Sequence, residues 1–141
     1  MESIIEKSLV QDLLPQKAPM TMADKLLLFE ENHLVAGLTV TADNIFVQDG
    51  QLSESGIIEH MAQSVALYTS YGYHIKSKKA PEGYIGSIKE VTIIKLPAIG
   101  DSLVTEVDVL QEFMGITLVN IVTRVNDEVV AKSQMKTVLA K

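Results

Sequence analysis

One carboxylate in the middle of the chain is surrounded in sequence by apolar residues. Glu59 lies in residues 56–63, Gly-Ile-Ile-Glu-His-Met-Ala-Gln. Removing a carboxylate from water is costly unless it is paired or protonated. Burial also disfavours its charged form, and this suits the group to accept and return a proton. Glu59 is therefore the predicted catalytic residue. The alternative is a structural glutamate that reaches a helix cap or an interface lysine.

Two further residues share a face with Glu59 if this stretch is helical. Gln63 follows Glu59 by four residues and can donate a hydrogen bond to its carboxylate. It can equally satisfy a backbone group of a surrounding sheet. Gly56 precedes Glu59 by three residues and lets a ligand approach the backbone, where exposed amides would polarise a carbonyl group. Packing of the helix against a sheet explains this glycine equally well. Both residues are predicted to bind substrate.

The three histidines do not have the spacing of metal ligands. His60 follows Glu59 directly and projects about 100° away from it around a helix. We therefore favour a histidine with satisfied hydrogen bonds at an interface. His33 begins a predicted strand and His74 ends the predicted helix, where both would be solvated. The chain has no cysteine. We expect no metal and no cofactor.

Length and composition limit the class of protein. The 141 residues predict one soluble domain, residues 1–141. The net charge of −6 argues against binding to duplex nucleic acid, which needs a basic face. No apolar stretch reaches the roughly 18 residues of a membrane span. The first residues also lack the basic start and apolar run of a signal peptide. The predicted location is the cytoplasm.

A small cluster of lysines follows the predicted central helix. Lys76, Lys78 and Lys79 lie within four positions of the sequence. A solvated loop is the simpler interpretation of such a charge run. The alternative is a surface on which an acidic partner docks.

Hydrophobic periodicity indicates an α+β fold. Residues 2–12 are predicted to form a short helix, and residues 53–75 a long one that protein surrounds on most sides. Strands are predicted over residues 23–30, 33–41, 84–96, 102–112, 116–125 and 128–139. Long strands with helical segments inserted early predict a curved antiparallel sheet wrapped around the 53–75 helix.

Three motifs in the same order resemble the 3-hydroxyacyl-(acyl-carrier-protein) dehydratases, the bacterial hot-dog enzymes of fatty-acid synthesis. Residues 13–20, with Asp24-Lys25, resemble the Leu-Pro-His-Arg-x-Pro opening of that family and its later Asp-Arg. Residues 59–63 are similar to its Glu-Ala-Met-Ala-Gln. Residues 96–101, Leu-Pro-Ala-Ile-Gly-Asp, are similar to its Arg-Pro-Val-x-Pro-Gly-Asp. Together the motifs bracket residues 12–139, and the resemblance implies a hot-dog fold.

The chain departs from that family in one catalytic position. The family places a histidine in a Gly-His-Phe-Pro loop, where it pairs with the helix glutamate across the dimer. The matching position here is Ile45, while Phe46 matches the family's phenylalanine, which makes Phe46 a further predicted substrate contact. Residues 47–55 also lack the proline-glycine pair. The sequence is more similar to the dehydratase-like proteins of aryl-polyene gene clusters.

The resemblance implies loss of water from a 3-hydroxyacyl thioester, with Glu59 serving as both base and acid. The substrate would arrive on an acyl-carrier protein, whose acidic surface fits the cluster of Lys76, Lys78 and Lys79. A homodimer, or a pair with a related hot-dog chain, is implied as well. Two alternatives stay open. One is a catalytically degenerate subunit that binds acyl chains or supports an active partner, and the other is an acyl thioesterase.

Overall fold

The computed structural model describes residues 2–140 and has the predicted α+β architecture. Its two helices and eight strands are α1 Lys7–Leu13, β1 Lys25–Glu30, β2 His33–Thr39, β3 Val47–Gln48, β4 Gln51–Leu52, α2 Glu54–His74, β5 Gly83–Ile93, β6 Ser102–Phe113, β7 Ile116–Val125 and β8 Glu128–Leu139. The bounds of β7 and β8 agree with the predicted strands. The six longer strands form one antiparallel sheet in the order β1-β2-β6-β7-β8-β5.

Tight turns set the register of this sheet. Asn126 and Asp127 join β7 to β8 with φ of 50° and 68°, and Asn32 joins β1 to β2 with φ of 64°. Asparagine and aspartate adopt this left-handed region more readily than other residues with a side chain. The residue types at these turns therefore explain why both hairpins were predictable.

Helix α2 lies on the inner face of the sheet. Its buried residues are Gly56, Ile57, His60, Met61, Gln63, Ser64, Val65 and Leu67. They cover roughly half of the helix circumference. The other side, with Glu59 and Ala62, is only half-buried. The prediction of a helix surrounded on most sides is therefore correct for one face only, because a groove runs along the other.

The first helix begins later than predicted. Residues 2–12 were expected to be helical, but α1 starts at Lys7. The preceding segment runs beside β1, where the backbone N–H of Ile4 donates to the carbonyl of Leu26 at 2.7 Å. The hydroxyl of Ser3 accepts from the N–H of Leu26 at 3.0 Å. Pairing with the sheet therefore replaces helical hydrogen bonds in this segment.

The two shortest strands were not predicted. β3 and β4 pair Val47 with Leu52 across a turn in which Asp49 and Gly50 have positive φ. Two residues are too few to show an alternating pattern. None of the helices within residues 2–140 is long and apolar enough to cross a membrane.

Candidate functional site

The segment before α2 is held in place by the turn that carries the third motif. The N–H of Leu52 donates to the carbonyl of Pro97 at 2.7 Å, and the N–H of Ile99 donates to that of Gly50 at 3.1 Å. Within the turn, the carboxylate of Asp101 accepts from the N–H of Ala98 at 2.8 Å. The Pro-Ala-Ile-Gly-Asp motif thus positions the approach to the helix.

The first turn of α2 explains the glycine of the second motif. Ser53 caps the helix, and its hydroxyl accepts from the N–H of Gly56 at 3.2 Å. A Cβ atom on Gly56 would lie 2.7 Å from Cβ of Phe46 and 2.7 Å from Cδ1 of Leu52. Contacts this short do not occur, so glycine is required for packing here. Substrate contacts by Gly56 and Phe46 stay predictions.

The predicted hydrogen bond between the glutamine and the glutamate is present. Nε2 of Gln63 donates to Oε1 of Glu59 at 2.9 Å. Gln63 is fully buried, whereas Glu59 is half-buried. No second donor from residues 2–140 reaches the carboxylate. One carboxylate oxygen is therefore oriented by the protein, and the other has no hydrogen-bond partner in the described chain.

Gln63 also binds the loop that precedes β1. Its Nε2 donates to the carbonyl of Met20 at 2.8 Å, and its Oε1 accepts from the N–H of Met22 at 2.6 Å. The alternative, that Gln63 forms hydrogen bonds with backbone groups, is thus also correct. These groups belong to a loop, however, and not to the sheet that was expected. Sequence reasoning missed Met20 and Met22 because backbone groups have no residue-type pattern. Direct substrate contact by Gln63 stays a prediction.

His60 lies on a different side of α2 from Glu59, as predicted. Its ring is fully buried, with Nδ1 2.6 Å from the carbonyl oxygen of Met22 and Nε2 2.8 Å from Oγ1 of Thr105. Burial lowers the pKa of His60 to about 4, although the hydrogen bond to Met22 and the charge of Asp24 act in the opposite direction. The ring is therefore neutral near pH 7, and both nitrogens are occupied within this chain.

None of the three histidines forms a hydrogen bond with Glu59. His33 pairs with Asp108 at 2.6 Å, and His74 is exposed at the end of α2. Ile45, at the position where the resemblance places a histidine, is 49% exposed. Within the part of the chain that the structure describes, Glu59 has no imidazole partner.

A groove of about 530 Å³ borders the half-buried face of α2. Ala62 and Ala66 line it and follow Glu59 by three and seven residues, so they lie on the same side of the helix. The opposite wall is formed by residues 12–17 and 79–85. The small side chains of Ala62 and Ala66 leave space on this side of the helix.

The lysine cluster lies at the far end of this helix. Lys76, Lys78 and Lys79 are exposed, and Lys79 also lines the groove. Across the described residues, none of the three forms an ion pair. Their charges are therefore not engaged by carboxylates within residues 2–140.

One group of possible metal ligands was not apparent in the sequence. Ligand atoms of His33, Glu106 and Asp108 lie within 4.8 Å of one another on the sheet. However, Glu106 forms an ion pair with Arg124, and His33 is hydrogen-bonded to Asp108. Both carboxylates are therefore already bound by side chains of the same protein.

Comparison with known proteins places this geometry in a family. Residues 8–140 match the model of the ApeP-like family, described as ApeP dehydratase. The chain is 31% identical over 139 residues to the 3-hydroxyacyl-[acyl-carrier-protein] dehydratase FabZ of Vibrio cholerae. This alignment covers 90% of this chain and 86% of that protein. FabZ of Aliivibrio fischeri is 30% identical over 135 residues, covering 90% and 88% respectively.

Solved structures share the fold. In the dehydratase heterocomplex ApeI:P from Xenorhabdus doucetiae, one chain superposes with a TM-score of 0.86 at 20% identity, covering 94% of this chain and 91% of that one. An uncharacterised protein, PH1136 from Pyrococcus horikoshii, superposes with a TM-score of 0.70 at 15% identity, covering 100% and 96%. The predicted hot-dog fold is confirmed.

Proposed function

The chain belongs to the ApeP-like dehydratase family, and we propose that it removes water from a 3-hydroxyacyl thioester, with Glu59 as the catalytic acid and base. The observation that carries this proposal is the hydrogen bond of 2.9 Å from Gln63, which orients one oxygen of Glu59 and leaves the other without a partner. The groove lined by Ala62 and Ala66, on the same side of α2 as Glu59, supports it, because an acyl chain needs an elongated site.

The reaction needs one proton to move twice. The Glu59 carboxylate takes a proton from C2 of the thioester, and the electrons of that C–H bond form the C2–C3 double bond. The C3–O bond breaks, and the leaving hydroxyl takes the same proton from Glu59 to form water. The backbone N–H of Gly56 donates to the hydroxyl of Ser53. In the complex with substrate, this N–H would instead donate to the thioester carbonyl and polarise it. Glu59 ends as a carboxylate, ready for the next turnover.

The test is a mass measurement on a defined substrate. The purified chain is incubated with a 3-hydroxyacyl acyl-carrier protein, and we expect the acyl group to lose 18 Da, the mass of one water. Glu59→Gln should lose at least about a hundredfold in kcat, because the base is removed. Glu54→Gln, an exposed change on the same helix, is the matched control. Full activity of Glu59→Gln would overturn the assignment, and released free acid would indicate the thioesterase instead.

The proposed carrier of the substrate is an acyl-carrier protein in the cytoplasm. Two curated relatives are named as dehydratases that act on acyl chains held by this carrier. The exposed cluster of Lys76, Lys78 and Lys79 supports docking of an acidic protein at the mouth of the groove.

The proposed assembly is a homodimer or a pair with a related hot-dog chain. Strand β5 ends the sheet order and pairs with β8 only, within residues 2–140. Its exposed apolar residues include Tyr84, Ile85, Ile88 and Val91. A long edge strand with this composition favours pairing with a second chain.

A supporting subunit is the second candidate function. The observation that favours it is Ile45, which stands where the resemblance places a catalytic histidine. One solved relative of this fold is a heterocomplex of dehydratases. If the chain alone leaves the substrate mass unchanged and dehydration begins once a related hot-dog protein is added, this second function replaces the first.

A further inference from the structure

The carboxamide of Gln63 can take only one of its two orientations. Its Oε1 faces the N–H of Met22, and its Nε2 faces the carbonyl of Met20 and the carboxylate of Glu59. Rotating the amide by half a turn would place its oxygen against two acceptors and its NH₂ group against a donor. The orientation that donates to Glu59 is therefore set by the peptide groups of the loop, and above all by that of Met22.

The backbone of Met22 is itself held from α2 at two points, one in each of the peptide groups that flank its Cα atom. Gln63 accepts from its N–H, and His60 lies 2.6 Å from its carbonyl oxygen. The carbonyl oxygen can only accept, so Nδ1 of His60 carries the proton. Nε2 then accepts from the hydroxyl of Thr105, which lies 2.8 Å away.

A second hydroxyl completes this arrangement. Oγ1 of Thr105 lies 2.7 Å from Oγ1 of Thr123, and both side chains are fully buried. Because Thr105 gives its own proton to the ring of His60, Thr123 must donate to Thr105. Two sets of hydrogen bonds thus meet at the backbone of Met22. Thr123 donates to Thr105, Thr105 to His60, and His60 to the carbonyl of Met22. The N–H of Met22, in the adjacent peptide group, donates to Gln63, which donates to Glu59.

We infer that His60 is a positioning residue, which fixes the backbone at Met22 and through it the carboxamide that orients Glu59. The inference rests on the proposed function of Glu59. His60 touches neither the carboxylate nor the groove-lining residues, so it takes no part in proton transfer. Its tautomer, with the proton on Nδ1, is what the inference requires.

Two substitutions separate the two nitrogens of the ring. The amide of an asparagine reaches the position of Nδ1, and that of a glutamine reaches the position of Nε2. His60→Asn therefore keeps a donor for Met22, and His60→Gln keeps only a partner for Thr105. Each variant loses one buried hydrogen bond, so we expect similar losses of thermal stability. Thr105→Val provides a third case, in which the bond to Met22 is intact.

We expect kcat to stay within about threefold of the unaltered chain for His60→Asn and Thr105→Val. For His60→Gln we expect a loss of about tenfold or more in kcat with KM changed less than about twofold, because the base is misplaced while substrate binding is kept. Equal kcat values for His60→Asn and His60→Gln at equal stability would overturn the inference.

Nuclear magnetic resonance provides a readout that does not depend on turnover. In the unaltered chain, the ¹⁵N shifts of His60 should show Nδ1 protonated and Nε2 bare, and the carboxamide protons of Gln63 should exchange slowly with water. Faster exchange is expected in His60→Gln only. A ring protonated on Nε2 alone would overturn the inference even if no variant folds. A chain without turnover that shows the expected spectra would refute the proposed function and leave the positioning by His60 supported.

Discussion

Glu59 and His60 are neighbours in the sequence, but their side chains lie in different surroundings. The carboxylate is half-buried, and the imidazole is fully buried between α2 and the sheet. A step of one residue turns a helix by about 100°, which is enough to separate the two environments. This difference supports the proposal that the glutamate, and not the histidine, exchanges protons with the substrate.

The burial of His60 predicts a loss of stability in mild acid. Its pKa is 6.5 when unfolded and about 4 when folded. Between these values the unfolded chain binds the proton and the folded chain does not, so stability falls as pH falls from 6.5 toward 4. The loss from this group amounts to about 3 kcal/mol.

This effect is measured by urea unfolding at several pH values. The free energy of unfolding is compared between the unaltered chain and His60→Asn. Other carboxylates titrate in both proteins, so the difference between their free energies of unfolding isolates His60. That difference should shrink by about 3 kcal/mol between pH 7 and pH 4. A difference that does not change with pH would contradict the prediction.

At the scale of elements, α2 owes its position to close contacts at its first turn. Gly56 packs against Phe46 and Leu52 with no space for a methyl group. Gly72 lies near the end of the same helix, where an added Cβ would be 3.7 Å from Cζ of Phe29, an ordinary contact. The same glycine-to-alanine change should therefore have opposite effects at the two positions.

Gly56→Ala should lower the free energy of unfolding by about 1–3 kcal/mol, because the segment before the helix must move. Gly72→Ala should raise it by about 0.5–1 kcal/mol, because alanine is the better helix former. Thermal and urea unfolding of both variants checks this pair. Stabilisation by Gly56→Ala would show that the first turn is less closely packed than described.

At the scale of the whole molecule, the edge of β5, which no other strand within residues 2–140 pairs with, supports the proposed assembly with a second chain. Ile88 is 41% exposed on this edge strand. The substitution Ile88→Lys should hinder pairing of the strand with a second chain. The matched control is Leu110→Lys, because Leu110 is 50% exposed on β6, an inner strand of the sheet that lies between β2 and β7. Sedimentation velocity should show dissociation for Ile88→Lys and no change for Leu110→Lys. Equal behaviour of the two variants would place the interface elsewhere.

The lysine cluster predicts a kinetic effect that depends on the carrier. Reversing the charge of Lys76, Lys78 and Lys79 to glutamate should raise KM for a carrier-protein substrate about tenfold, and less at high salt. KM for the same acyl group on free pantetheine should stay unchanged, since no acidic surface is involved. Lys132→Glu with Lys136→Glu, exposed on β8, is the control. A similar rise in KM with both substrates would contradict docking at this cluster.

Much of the fold was predictable from the sequence because its signals are local. The alternation of side chains in residues 116–125 and 128–139, with Asn126 and Asp127 between them, fixes two strands and their turn. The spacing of four between Glu59 and Gln63 likewise predicts their hydrogen bond, because i and i+4 meet on any α-helix.

Only the tertiary structure decided how that glutamate is held and what lies beside it. The contacts of Gln63 with the loop join residues 41 and 43 positions apart, and those of His60 join residues 38 and 45 positions apart. Several of these partners are backbone atoms, which every residue possesses, so no pattern of side chains predicts them. The groove is likewise a space between segments distant in sequence. The sequence alone determined which carboxylate to propose for the chemistry, because its motif is local, and the fold determined how that carboxylate is oriented, because its supports are distant in sequence.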